Sequence, residues 1–152
     1  MRKIKNIYLG VSPGTRYIGF AVMRNNDLTD WFVKTFPGTW SSDKLRKMKM
    51  LLTRIITSFA ISEIAVKVPE DIRRSKALDK VINLIEQIAE SRKVTVDVYT
   101  IQEIKKRLKC KNKGELIERM VIKYPELQTE FNLDSNKYHA KIFEACGVIS
   151  IL

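Results

Sequence analysis

Three strand-like runs of apolar residues occupy the first part of the chain. The first, Ile7 to Val11, is followed by a Pro-Gly pair that favours a tight turn. The second and third, Tyr17 to Met23 and Leu28 to Phe36, are rich in aromatic and β-branched residues. The segment Arg24-Asn25-Asn26-Asp27 between them has the Asn and Asp content of a hairpin turn. The pattern predicts a three-stranded antiparallel meander.

Helical spacing then alternates with two further strands. Apolar residues recur every three to four positions from the capping candidates Ser41, Ser42 and Asp43 to about Phe59, and again from Ser75 to about Arg92. Two short apolar runs predict the other strands, Glu63 to Val68 and Val94 to Tyr99. The remaining elements are helices, predicted over Ile101 to about Leu108, Glu115 to Tyr124, and about Asn136 to the C-terminus. Strands alternating with helices favour parallel pairing in an α/β domain.

The charge balance is the most informative feature of the composition. The 152 residues, enough for one domain with its own core, include 28 Lys and Arg against 17 Asp and Glu, giving a formal net charge of +11. Such an excess favours binding to a polyanion, most often nucleic acid. A merely soluble basic protein, or one with an acidic protein partner, is the alternative. The densest basic cluster runs from Lys105 to Lys113.

Other sequence features argue against secretion and membrane insertion. No apolar stretch approaches the roughly 18 residues of a membrane span. The basic start, Met1 to Lys5, leads into a strand rather than to a cleavage site, so we do not interpret it as a signal peptide. Cys110 and Cys146 are isolated, expected at the surface and in the core respectively, and predict neither a disulfide nor a metal site. We expect a cytoplasmic protein.

The opening strand and turn resemble a known family. The segment Leu9-Gly10-Val11-Ser12-Pro13-Gly14-Thr15-Arg16-Tyr17-Ile18-Gly19-Phe20 is similar to the first strand of the RuvC-like Holliday-junction resolvases, apolar-Gly-apolar-Asp-Pro-Gly-Ser/Thr-Arg-x-x-Gly-apolar. The order of elements is also that of the family, over essentially the whole chain. The resemblance implies an RNase H-like fold: a five-stranded mixed sheet, with a meander and two parallel strands, flanked by helices.

The same resemblance places non-acidic residues where the family has catalytic acids. Ser12 replaces the first Asp, and Lys67, in Ala65-Val66-Lys67, replaces a Glu on the fourth strand. The pattern Asp-x-x-Asp-Ala or His-x-x-Asp-Ala, which opens the last helix of the family, is matched by Asn136-Lys137-Tyr138-His139-Ala140, with Asn136 and His139 at the two functional positions. The family implies two Mg²⁺ ions, which require several carboxylates. The four positions here sum to about +1 instead of about −4, so we expect no metal and no catalytic residue.

The first hypothesis is therefore a degenerate, non-cleaving RuvC-like protein that binds branched or duplex DNA. Its candidate contacts are basic residues beside the turn, after the fourth strand and in the basic cluster: Arg16, Lys67, Arg73, Arg74, Lys105, Lys106, Lys109 and Lys111.

Two alternatives stay open. The chain could be an active nuclease with a relocated Mg²⁺ or Mn²⁺ site built from His139, Asp134 and Glu70, although Glu70, beyond Pro69, is expected to face away from the strand. It could also be a structural scaffold with an acidic protein partner. The family further suggests a homodimer, with the helix from Ser75 to Arg92 as a candidate surface.

Overall fold

A five-stranded mixed sheet forms the centre of the protein in the computed structural model. The model describes residues 6–70, 75–129 and 137–152, with the backbone only at 137–139. The strands are β1 Ile7–Ser12, β2 Tyr17–Arg24, β3 Asp27–Thr35, β4 Glu63–Val68 and β5 Thr95–Thr100. The helices are α1 Ser42–Ser58, α2 Lys76–Ser91, α3 Ile101–Arg107, α4 Lys113–Lys123 and α5 Lys137–Ser150, with a short 3-10 turn at Pro125–Leu127.

Strand β1 lies in the middle of the sheet, whose order is β3-β2-β1-β4-β5. It pairs antiparallel with β2, Ser12 opposite Gly19, and parallel with β4, Val11 opposite Val66. Strand β5 extends the sheet parallel to β4. The meander and both parallel pairings are thus confirmed.

Helices cover both faces of the sheet. Helices α1 and α2 pack on one face through a core that includes Leu9 and Val66. Helices α3, α4 and α5 pack on the other face, and Ala65 lies in that second core. Since successive side chains of a strand point to opposite faces, the residues of β1 and β4 that face α5 are those out of phase with Leu9 and Val66.

Two glycines allow helix α5 to lie directly on the sheet. A Cβ atom at Gly10 would clash with the carbonyl oxygen of Ala145, and one at Gly19 with the carbonyl oxygen of Lys141. Both glycines belong to the sequence pattern of the opening strand. Their role here is to permit a close helix–sheet approach, which brings the side chains of α5 within reach of the end of β1.

The predicted element boundaries agree with the structure to within a few residues. Ser41, Ser75 and Thr100 cap α1, α2 and α3, each accepting a hydrogen bond from the backbone N–H three residues later. The expectation that Cys110 lies at the surface is wrong: its residue is only 8% exposed and belongs to the core under α4 and α5. None of the helices in the described ranges has the length and apolar character needed to cross a membrane.

Candidate functional site at the ends of β1 and β4

Two polar residues emerge on the same face of the sheet at the ends of its central parallel strands. Ser12 ends β1, and Lys67 is the penultimate residue of β4. Because Val11 is paired with Val66, Ser12 and Lys67 are the next positions along the two strands and share the face covered by α5. Ser12 is fully buried and Lys67 is 8% exposed. Burying an ammonium group is costly unless a counter-charge meets it.

That counter-charge is Glu144 of helix α5, itself buried. Its Oε2 lies 2.6 Å from Lys67 Nζ, and its Oε1 accepts a long hydrogen bond of 3.5 Å from the Ser12 hydroxyl. At this distance the contact between Lys67 and Glu144 is a close ion pair. The site is therefore a buried triad formed by Ser12, Lys67 and Glu144.

Electrostatics keep the carboxyl group of this triad ionised. Burial by itself would raise the pKa of Glu144. The positive charges of Lys67, Lys141 and Lys113 outweigh burial, and the net effect is to lower the pKa below its ordinary value. The carboxylate of the triad therefore lies among the positive charges of Lys67, Lys141 and Lys113.

Lys141 adds a fourth group one helical turn before Glu144. Its Nζ donates a 3.3 Å hydrogen bond to the carbonyl oxygen of Pro13, in the turn after β1. Residues three apart lie on the same side of a helix, which explains why Lys141 and Glu144 both reach the end of β1.

Glu144 is the residue that the sequence analysis missed. The sequence does contain a signal for it. The five-residue pattern of the last helix, which was matched to Asn136 and His139 and ends in alanine, occurs again five residues later as Lys141-Ile142-Phe143-Glu144-Ala145, here with an acid before the alanine. Asn136 lies outside the described residues, as does the side chain of His139. The contacts of Glu144 with β1 and β4 could not be recognised without the position of helix α5.

A cleft of about 350 Å³ opens above the triad. Its walls come from the end of β4, helix α3 and the start of α4, and it is lined by Lys67, Pro69, Glu70, Ile101, Gln102, Lys105, Lys113 and Glu144. Glu70 thus lines the cleft, contrary to the expectation that it faces away. Lys105 is half-buried, whereas Lys113 is exposed at the first turn of α4.

The other predicted contact residues lie outside this cleft or outside the described ranges. Lys106, Lys109 and Lys111 are exposed on and after α3. Arg16 is exposed, with its guanidinium 5.6 Å from the centre of the Tyr17 ring. Arg73, Arg74 and Asp134 fall outside the described residues.

The described residues do not fit the divalent metals that the family resemblance implies. In the described ranges, no three His, Cys, Asp or Glu side chains come together as a metal-binding group. The buried centre offers Mg²⁺ one carboxylate and one neutral hydroxyl, from Glu144 and Ser12, where Mg²⁺ requires near-octahedral oxygen ligation. The ammonium group of Lys67 already occupies the approach to Glu144 Oε2.

Comparison with solved structures identifies the fold. Thermus thermophilus RuvC superposes with a TM-score of 0.74 at 13% identity, covering 95% of this chain and 93% of that one. RuvC of the same organism in complex with a Holliday junction substrate gives 0.72 at 14% identity, covering 96% and 93%. The yeast mitochondrial Holliday junction resolvase gives 0.69 at 10% identity, covering 94% of this chain and 75% of that one.

In sequence comparisons, no protein-family model and no curated protein sequence matches the chain. The structural similarity, together with the strand order 3-2-1-4-5, confirms the architecture expected from the opening motif. The chain has the RNase H-like fold of the RuvC-type Holliday-junction resolvases.

Proposed function

We propose that this protein binds the phosphate backbone of branched or duplex DNA through the basic cleft, and that it does so without metal-dependent cleavage. The observation that carries the proposal is the charge arrangement of the cleft. Its buried carboxylate is already paired with Lys67, while Lys105 and Lys113 stand at the walls. Neither of these two lysines has a carboxylate within 4.0 Å among the described residues.

The geometry of the cleft suits a phosphate better than it suits a metal. An anion in the cleft would meet the ammonium groups of Lys105 and Lys113 and the side-chain amide of Gln102, which together outweigh the one further carboxylate in the lining, that of Glu70. The charge of Glu144, at the inner end, is offset by Lys67 and would repel the anion less than an unpaired carboxylate. Contacts of this kind fix a nucleic acid in place without reading its sequence.

Exposed basic groups outside the cleft support the same proposal. Lys106, Lys109 and Lys111 continue the positive surface from α3 into the following link, and Arg16 lies beside the turn after β1. Neutralised phosphates release condensed counterions, so the affinity would fall steeply with salt, with a slope of about −0.9 per contact on duplex DNA. One of the structures that share the fold is RuvC bound to a Holliday junction substrate.

The test of binding is a salt titration with a labelled four-way junction and a matched duplex. We expect the double variant Lys105→Gln/Lys113→Gln to bind more weakly than wild type and to lower the salt slope by about 2. The control is Lys49→Gln/Lys80→Gln, which removes the same charge from exposed positions of α1 and α2, on the other face of the sheet. Equal losses in both double variants would show that only net charge matters and would refute the cleft as the binding site.

The test of cleavage uses the same junction with Mg²⁺ or Mn²⁺, and we expect no product. Nicking that requires metal and disappears in Asp134→Asn would refute the absence of cleavage and support the relocated nuclease site. Absence of binding even at low salt would refute the proposal as a whole and favour a protein-binding scaffold.

We also propose that the protein forms a homodimer. In α2, the apolar residues are buried against the sheet, so pairing through this helix would use its exposed polar side, which includes Glu86 and Glu90. Sedimentation velocity at several protein concentrations tests it, and a single species with the mass of one chain at every concentration would refute the dimer.

A further inference from the structure

We infer that the ammonium group of Lys67 replaces a divalent cation as the counter-charge of this centre, and that the centre consists of Ser12, Lys67, Lys141 and Glu144. The inference concerns what holds the centre together, and it is independent of whether the cleft binds DNA. It reassigns the two positions on the last helix from Asn136 and His139 to Lys141 and Glu144.

The positions of these residues support the reassignment. Lys141 and Glu144 have the same three-residue spacing as the two acids in the family pattern, and an alanine follows Glu144 as it follows the second acid. Both contact the end of β1: Lys141 Nζ at the Pro13 carbonyl oxygen, and Glu144 Oε1 at the Ser12 hydroxyl. Lys67 reaches the same carboxylate from β4. The helix thus brings Glu144 to both central strands and Lys141 to the turn after β1.

The centre carries a net positive charge where the family pattern places acids. One of the four side chains is acidic, one is neutral and two are lysines. Since Lys67 Nζ lies 2.6 Å from Glu144 Oε2, the ammonium group supplies a charge that a metal would otherwise bring. A buried carboxylate without either counter-charge would be strongly unfavourable.

The dimensions of the ion pair allow this substitution to be reversed. A glutamate side chain is shorter than lysine by one bond, so Lys67→Glu would open the contact with Glu144 from 2.6 Å to about 4 Å. Twice the Mg–O bond length of about 2.0–2.1 Å spans the same gap. A divalent cation would then sit between two carboxylates that otherwise repel each other.

The experiment measures thermal stability with and without Mn²⁺, and metal affinity by calorimetry. We expect Lys67→Glu to melt below wild type without metal and to gain about 5–10 °C in Tm at a Mn²⁺ concentration about 100 times the Kd. Wild type should show no such gain. The control Lys49→Glu makes the same charge change at an exposed position of α1 and should not respond.

Two further variants keep the test decisive. In Lys67→Glu/Glu144→Gln one of the two carboxylates is removed, and the gain with Mn²⁺ should disappear. In Ser12→Asp/Lys67→Glu/Lys141→Asp the centre holds four carboxylates, and Mn²⁺ should bind more tightly than to Lys67→Glu and restore folding if the metal-free variant is unfolded.

The inference would be overturned by any of three results. Mn²⁺ could stabilise wild type as much as Lys67→Glu; the Glu144→Gln change could leave the gain intact; or neither Lys67→Glu nor the triple variant could respond to Mn²⁺. None of these readouts involves nucleic acid, so failure here would be distinguishable from failure of the proposed DNA binding.

Discussion

Replacing Lys67 by methionine tests whether the buried ion pair is needed for the fold. The side chains of Lys67 and Glu144 are 10% and 3% exposed, and the charged atoms lie 2.6 Å apart. At an effective dielectric constant of about 20, their direct attraction is on the order of 6 kcal/mol, which the cost of desolvating both groups largely offsets. The loss of one partner alone leaves a buried charge without its nearest counter-charge. We therefore expect Lys67→Met to lower the free energy of unfolding by about 3–5 kcal/mol.

The assay is denaturant unfolding of four proteins: wild type, Lys67→Met, Glu144→Leu and the double variant. For a chain of this length, the single loss corresponds to a Tm lower by about 6–20 °C. The double variant removes both charges together. Its free energy of unfolding should lie within about 2 kcal/mol of the wild-type value, because an apolar pair can replace a buried ion pair at little cost. Its remaining penalty is the Ser12 hydroxyl, which loses its acceptor on Glu144.

An exposed lysine provides the control for this cycle. Lys80→Met, on the outer side of α2, should change stability by no more than about 0.5 kcal/mol. If Lys67→Met also cost less than about 1 kcal/mol, the pair would behave like a surface salt bridge and the reasoning would be refuted. A double variant as unstable as the sum of both single variants would refute the coupling between Lys67 and Glu144.

Three further predictions follow from burial and close packing. The folded-state pKa of Glu144 is depressed, so its ionised form stabilises the protein above the unfolded-state pKa of about 4.3, and this stabilisation is lost as pH falls through the folded-state pKa. In urea unfolding from pH 7 to pH 3, the free energy of unfolding should therefore decrease less in Glu144→Gln than in wild type. Burial raises the pKa of Tyr124 to about 12, so stability should fall as pH rises from about 10 to 12, and less so in Tyr124→Phe, measured by alkaline unfolding. Gly10→Ala should destabilise the protein by about 1–3 kcal/mol because its Cβ would clash with the carbonyl oxygen of Ala145. Gly114→Ala, whose Cβ would meet only a side-chain oxygen at 3.3 Å, should be nearly neutral, and thermal unfolding of both variants measures the difference.

The fold was largely predictable because its signals are local. Each strand of the meander is bounded by turn residues, and the first three helices begin at a hydroxyl residue that caps them. What local patterns could not give was depth of burial. Cys110 follows a run of lysines, and it is buried only because α3, α4 and α5 enclose it.

The candidate site was predictable only in the strands. Ser12 and Lys67 could be located because β1 and β4 have clear ends, and a central strand carries its side chains in strict alternation. The last helix offers two frames with the same spacing, and no rule of periodicity decides between them. In the described part it is Glu144 that reaches Ser12 and Lys67, and Gly10 and Gly19 permit the close approach of α5 that brings it there.

Shape and chemistry are therefore carried by different residues at this site. Gly10 and Gly19 permit the close approach of α5, whereas Ser12, Lys67 and Glu144 set the polarity and charge of the centre. Burial of the Lys67 ammonium group would be unfavourable without Glu144 beside it, and burial of the Glu144 carboxylate would be unfavourable without the lysine. Each of the two residues can therefore be buried only because the other is present. Metal binding at this centre would thus require Lys67 to change while Glu144 is kept, because substituting Ser12 or Lys141 alone would add a carboxylate to a centre whose counter-charge is still an ammonium group.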